Sequence, residues 1–353
     1  MCKSLNTTNA SLALECAARY TAIYDGIVTV LHRDHPQLQF TGLVLAWPDC
    51  AGSEQWFRFF LNASNHRSPV RENFDVYVSE ISYHWYAENA YAAPAPQGDW
   101  QNIGANPADV FLQSAQFLVS ARMVKDLIRE LHPARAEPGP NKLRVFCNEV
   151  GVLVGGPPPQ PFGAGRWWWN LEAAMFGYVY ASLAALGVDA IAASQLTGYE
   201  VPENAPSISM LDWNTGHGTA WFWVVQMFTD TLGSGPKDVL PTLVNGALSN
   251  QTVRPFDPTR PGMCAHSMNG KAFTEAHVQP LFAQAFALNV AGVSKRIVIL
   301  VNTRNCSAAV VVAGAAGGSV RAVDLEAGFG STPYKEVRKT PNWPRSWANF
   351  SLL

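Results

Sequence analysis

Leu143–Val152 reads LRVFCNEVGV, a nearly continuous apolar run with the carboxylate of Glu149 close to its end. A run of this length, followed at once by the Gly/Pro loop GGPPPQPFGAG at 155–165, predicts a strand buried on both faces, as in a parallel sheet covered by helices. The same texture recurs on either side of it. Upstream lie FTGLVLAWP (Phe40–Pro48) and VYVSEISYHWY (Val76–Tyr86), and downstream lies VDAIAASQL (Val188–Leu196).

Between these runs the apolar spacing becomes helical. Tyr20, Ile23, Tyr24, Ile27, Val28 and Leu31 mark one helix, which Pro36 stops. Phe57, Phe60 and Leu61 mark a second, and Asp109–Leu131, Trp167–Leu186 and Thr219–Leu232 read as three more, the last ending at Gly233. Strands alternating with helices give four βα units. After Gly235 the texture changes to short β-rich runs, RIVILVN (Arg296–Asn302), AAVVVAG (Ala308–Gly314) and SVRAVDL (Ser319–Leu325), which predict a small antiparallel β-sandwich. The expected division is 1–240 and 241–353. The final stretch, TPNWPRSWANFSLL, offers no apolar strand to complete the sandwich.

The chain has 353 residues, 48% hydrophobic and 15% charged, with a formal net charge of -2. That balance excludes a disordered tail and leaves no electrostatic footprint for nucleic acid or an anionic membrane. Ala173–Ala193 is the most membrane-like stretch, but Gly187 and Asp189 interrupt it short of the roughly 20 residues a bilayer needs. Six cysteines lie scattered without a CxxC pair, so metal and thioredoxin-type readings lack support and no pairing is selected. Six of the 21 asparagines, Asn6, Asn9, Asn62, Asn250, Asn305 and Asn349, start N-x-S/T sequons, where chance gives about two. The excess points to the secretory pathway, although no signal peptide is visible at the N-terminus.

No P-loop, GxSxG, HExxH or GxGxxG pattern is present. The chemistry therefore gathers at strand ends. Glu149, with Asn148 before it, ends one apolar strand, and His84 and Tyr86 end the strand before. In a βα barrel those ends line the active face, and a His and a Tyr beside a carboxylate can hydrogen-bond its oxygens and tune its pKa. Gln195 and Tyr199 after the last strand, and Trp213 in the following loop, are candidate substrate contacts. Trp167, Trp168 and Trp169 offer rings for sugar stacking, or for packing on the barrel.

In this order, YTAIYDGIVTVLHRDHPQLQFTGLVLAWP, FDVYVSEISYHWYA, LRVFCNEVGV and GVDAIAASQLTGY resemble the second half of a clan A glycoside hydrolase barrel, most of all family 39, the β-xylosidase and α-L-iduronidase type. The resemblance covers about residues 17–325 and includes the appended sandwich. It implies an α/β fold, a partial (β/α)8 TIM barrel of about strands 4/5 to 8, acting on a carbohydrate by a retaining mechanism without metal or organic cofactor. It places the nucleophile at Glu149 and the His-x-Tyr of the preceding strand at His84 and Tyr86. The acid/base should be the Glu of an Asn-Glu pair, yet Asn6 is followed by Thr7. Thr has no proton that titrates near neutral pH, so the chain as it stands is expected to lack its acid. The rival expectations are a carbohydrate-binding protein without turnover and an inactive fragment.

Overall fold

A computed structural model describes residues 10–48, 50, 52–88, 107–153, 166–197, 210–211, 215–233, 235–244, 281–290, 292–303, 308–313, 318–324, 335–337 and 347–352. Four strands, β1 (Thr41–Ala46), β2 (Glu80–Glu88), β3 (Arg144–Leu153) and β4 (Ala190–Ala193), form one parallel sheet in chain order. The helices between and beside them are α1 (Ala10–Asp34), α2 (Ser53–Leu61), α4 (Pro107–Leu131), α6 (Arg166–Ala185) and α7 (Ala220–Leu232), with short turns α3 (Phe74–Tyr77) and α5 (Pro133–Ala136). The strand expected from Val76 thus begins only at Glu80. Phe74 and Tyr77 are buried instead by one helical turn, closed where the Val78 amide donates to the Phe74 carbonyl at 2.8 Å.

Period-two alternation divides the sheet into two faces. Ile81, Tyr83, Trp85 and Ala87 of β2 lie beside Val145, Cys147, Val150 and Val152 of β3, and all are buried against the helices. Trp85 stacks on Phe117 of α4 with ring centroids 4.8 Å apart and planes 6° from parallel. The other face pairs Glu80 with Arg144, Ser82 with Phe146, His84 with Glu149 and Tyr86 with Gly151. Towards the strand starts it is closed by Arg144 bridged to Glu80, whose Oε2 accepts from the Thr41 hydroxyl at 2.6 Å. Among the described residues, β1 and β4 are unpaired on their outer edges. Val44, on the second face of β1, is 51% exposed.

The antiparallel part begins at β5 (Lys237–Leu240), which pairs with β6 (Leu281–Val290), itself paired with β7 (Val293–Asn302). Its first strand therefore starts before residue 241. This sheet packs on α6, with the Tyr178 and Phe282 rings edge to face at 4.8 Å and Gly177 leaving room for Val301. β8 (Ala308–Ala313) pairs with β11 (Trp347–Leu352), and β9 (Val320–Ala322) pairs with β10 (Lys335–Val337). The C-terminal stretch thus supplies a strand that its composition concealed. Backbone pairing with the Val-rich β8 fixes WANFSL as a strand even though polar residues alternate through it.

Candidate active site

Glu149 reaches the second face through a bulge. Tyr83 pairs with Cys147 and His84 with Glu149, so Asn148 is an extra residue in β3. In a regular strand Glu149, two residues beyond Cys147, would share its helix-facing side; the bulge at Asn148 turns it to the side of His84 and Tyr86. Cys147 remains behind the sheet, fully buried, its thiol pushed up by desolvation, and so is not a nucleophile.

Tyr86 Oη lies 2.5 Å from Glu149 Oε2 and 2.7 Å from Ser194 Oγ. Burial first, and the bond to Glu149 second, push the Tyr86 hydroxyl up to about 12, while Ser194 opposes the shift. It therefore stays protonated and able to donate at neutral pH. His84 is half-buried, and desolvation holds its imidazole below the usual range and favours the neutral ring, against the opposing pull of the Glu149 charge. Gly151, opposite Tyr86, makes the approach possible. A Cβ there would stand 3.0 Å from the Ser194 carbonyl oxygen and 3.1 Å from both the Tyr86 ring and the Trp221 ring.

A third aromatic joins the group. Trp47, at the end of β1, has its ring 6.2 Å from that of His84 and 6.4 Å from that of Tyr86. It is fixed there by its amide donating to the His84 carbonyl at 2.9 Å, and by the Cys50 amide and Ser53 hydroxyl donating to its own carbonyl. Cys50 and Cys16 are both disulfide-bonded.

The structure thus brings His84, Tyr86, Asn148 and Glu149 to one set of strand ends. Gln195 follows Ser194 across a cis peptide bond, and its carbonyl accepts from the Met210 amide at 2.8 Å. Tyr199 and Trp213 lie outside the described residues, as do the side chains of Trp167, Trp168 and Trp169. Ser194 and Trp47 were missed from the sequence. Alternation through AIAAS would have found Ser194, because Ala190, Ala192 and Ser194 share one face. Trp47 carried only its place at a strand end.

No protein-family model matches the chain. No curated protein matches it in sequence. Among solved structures it is similar to the GH51 arabinofuranosidase from Xanthomonas axonopodis pv. citri, at 12% identity and a TM-score of 0.53 over 96% of this chain and 60% of that one. It is also similar to a family 51 alpha-L-arabinofuranosidase from Bifidobacterium longum, at 12% identity and a TM-score of 0.50 over 95% of this chain and 58% of that one. The chain has the fold of these enzymes. The likeness is one of fold, and the chain spans about 60% of the length of these structures.

Proposed function

We propose that the chain is the C-terminal part of a retaining glycoside hydrolase barrel of the family 39 type, with Glu149 as its nucleophile. The observation that carries this reading is the short contact of Tyr86 Oη with Glu149 Oε2 at parallel strand ends, 2.5 Å. One Glu149 oxygen is tied to Tyr86, which leaves the other to attack an anomeric carbon. As that C–O bond forms, the bond to the leaving oxygen breaks, and a general acid protonates it. In retaining enzymes this second carboxyl stands about 5–5.5 Å from the first. In the sequence Thr7 stands where the resemblance expects that Glu, and Thr cannot serve as a general acid near neutral pH.

Neutral His84 and the rings of Trp47 and Tyr86 suit a polyhydroxylated sugar ring, with Asn148 and Gln195 as nearby polar contacts. The disulfide-bonded Cys16 and Cys50, with the sequon excess, support a glycoprotein of the secretory pathway. Asn6-Thr7 favours one second reading, sugar binding without turnover.

An activated 2-fluoroglycoside needs little protonation of its leaving group and isolates the nucleophilic step. We expect incubation to add one sugar to the wild-type chain at Glu149 and none to Glu149→Gln, read by intact mass and peptide mapping. Unactivated alkyl glycosides should not turn over. An adduct that persists in Glu149→Gln would remove Glu149 as nucleophile, and binding of the sugar with no adduct would favour the second reading.

A further inference from the structure

We propose that Ser194 is a positioning residue of this site, orienting the Tyr86 hydroxyl so that its only proton points at Glu149. The inference rests on Glu149 being the nucleophile. A carboxylate oxygen can only accept, so at 2.5 Å the shared proton is that of Tyr86. The Tyr86 oxygen then has only lone pairs left for Ser194 Oγ, 2.7 Å away, and Ser194 must donate.

Ser194 has little freedom to do otherwise. Its amide donates to the Val150 carbonyl at 3.1 Å, which continues the β3–β4 pairing to the end of the sheet. Its own carbonyl packs over Gly151, where even a methyl group would stand 3.0 Å away. The hydroxyl is therefore aimed by backbone that is itself held. The bonds run in one direction, Ser194 to Tyr86 to Glu149, and each polarises the next. Ser194 draws density from the Tyr86 oxygen and opposes the rise that burial and Glu149 impose on that hydroxyl. Without Ser194, Tyr86 could rotate its proton away from Oε2 or take a water in its place. Ser194 touches neither Glu149 nor a reacting atom in this arrangement; it acts through Tyr86.

The test uses the whole chain and the rate at which 2,4-dinitrophenyl 2-deoxy-2-fluoro-xyloside labels Glu149, followed by intact mass, with a cooperative melt confirmed for every variant. Ser194→Ala should slow maximal labelling about 5–10-fold, the effect of losing one hydrogen bond, while half-saturation stays within twofold. Ser194→Thr, which keeps the hydroxyl, should restore the rate. In a Tyr86→Phe background Ser194→Ala should cost nothing further, because the link it acts through is gone. Equal rates for wild type and Ser194→Ala, or equal losses in both backgrounds, overturn the proposal. Should Ser194→Ala not fold, Ser194→Cys, with its weak donor, takes its place under the same outcomes. A wild type that gives no adduct overturns the nucleophile reading and this one with it, whereas an adduct unaffected by Ser194→Ala overturns this one alone.

Discussion

At Glu149 the arrangement depends on one residue that has no side chain. Gly151 sits where the Tyr86 ring, the Trp221 ring and the Ser194 carbonyl converge within about 3.0–3.1 Å of a would-be Cβ. Gly151→Ala must push one of them aside. Trp221 is fully buried and the carbonyl belongs to strand-end backbone, so the Tyr86 ring, 7% exposed and paired with the partly exposed Glu149, is what yields. Overpacking of this kind costs roughly 1–3 kcal/mol. We expect Gly151→Ala to melt cooperatively at a lower temperature and to label at Glu149 at least tenfold more slowly than wild type. Labelling at the wild-type rate would show that the close approach of Tyr86 is not needed.

Between elements, two buried carboxyl groups set the stability. Asp25 of α1 receives His66 Nδ1 at 2.7 Å and the Arg67 amide at 2.7 Å, while His66 Nε2 donates to the Phe60 carbonyl at 2.7 Å. This ties α1 to the end of α2, inside a collar of Tyr24, Phe60 and Phe74 rings. Removing the imidazole leaves the buried Asp25 carboxyl with only the Arg67 amide, so His66→Ala should cost about 3–5 kcal/mol in urea unfolding. A loss below about 1 kcal/mol would mean that water replaces the imidazole. On α6, Glu172 is 1% exposed, and burial pushes its carboxyl well above the usual range, opposed by the Val152 backbone. With the folded value raised, stability is full below about pH 4.5 and falls as the pH rises and the unfolded chain ionises. Glu172→Gln should therefore raise the melting temperature at pH 7 and leave it unchanged at pH 4; an equal gain at both would assign the effect to packing.

At the scale of the whole molecule, one stretch of apolar surface among the described residues stands out for its helical spacing. Ile23 (56% exposed), Ile27 (54%), Val30 and Leu31 form a helical stripe on α1, and the outer edge of β1 beside it pairs with no other strand among the described residues. Parallel sheets are ordinarily covered on both faces and edges are ordinarily protected, so these features favour association. We expect the chain to self-associate at micromolar concentration in light scattering, and the Ile23→Lys, Ile27→Glu pair to reduce this without lowering the melting temperature. Unchanged association would place the sticky surface elsewhere.

What the sequence determined by itself was the alternation of buried strands with amphipathic helices, the change to short β-rich runs after Gly235, and the placing of His84, Tyr86 and Glu149 at strand ends. These follow from periodicity, which depends on neighbours along the chain. It missed features that depend on neighbours across space. The helical turn at Phe74–Tyr77 forms because both rings find burial there, and Trp347–Leu352 becomes a strand because β8 offers it an edge. The Asn148 bulge exists only as a mismatch in register with β2. That mismatch turns Glu149 to the face where Tyr86 and Ser194 meet it. A count of alternating residues along β3 alone places Glu149 with Cys147, on the wrong side of the sheet. Only pairing between strands can insert a residue without an opposite number, and so only the tertiary structure could decide which way the carboxylate points.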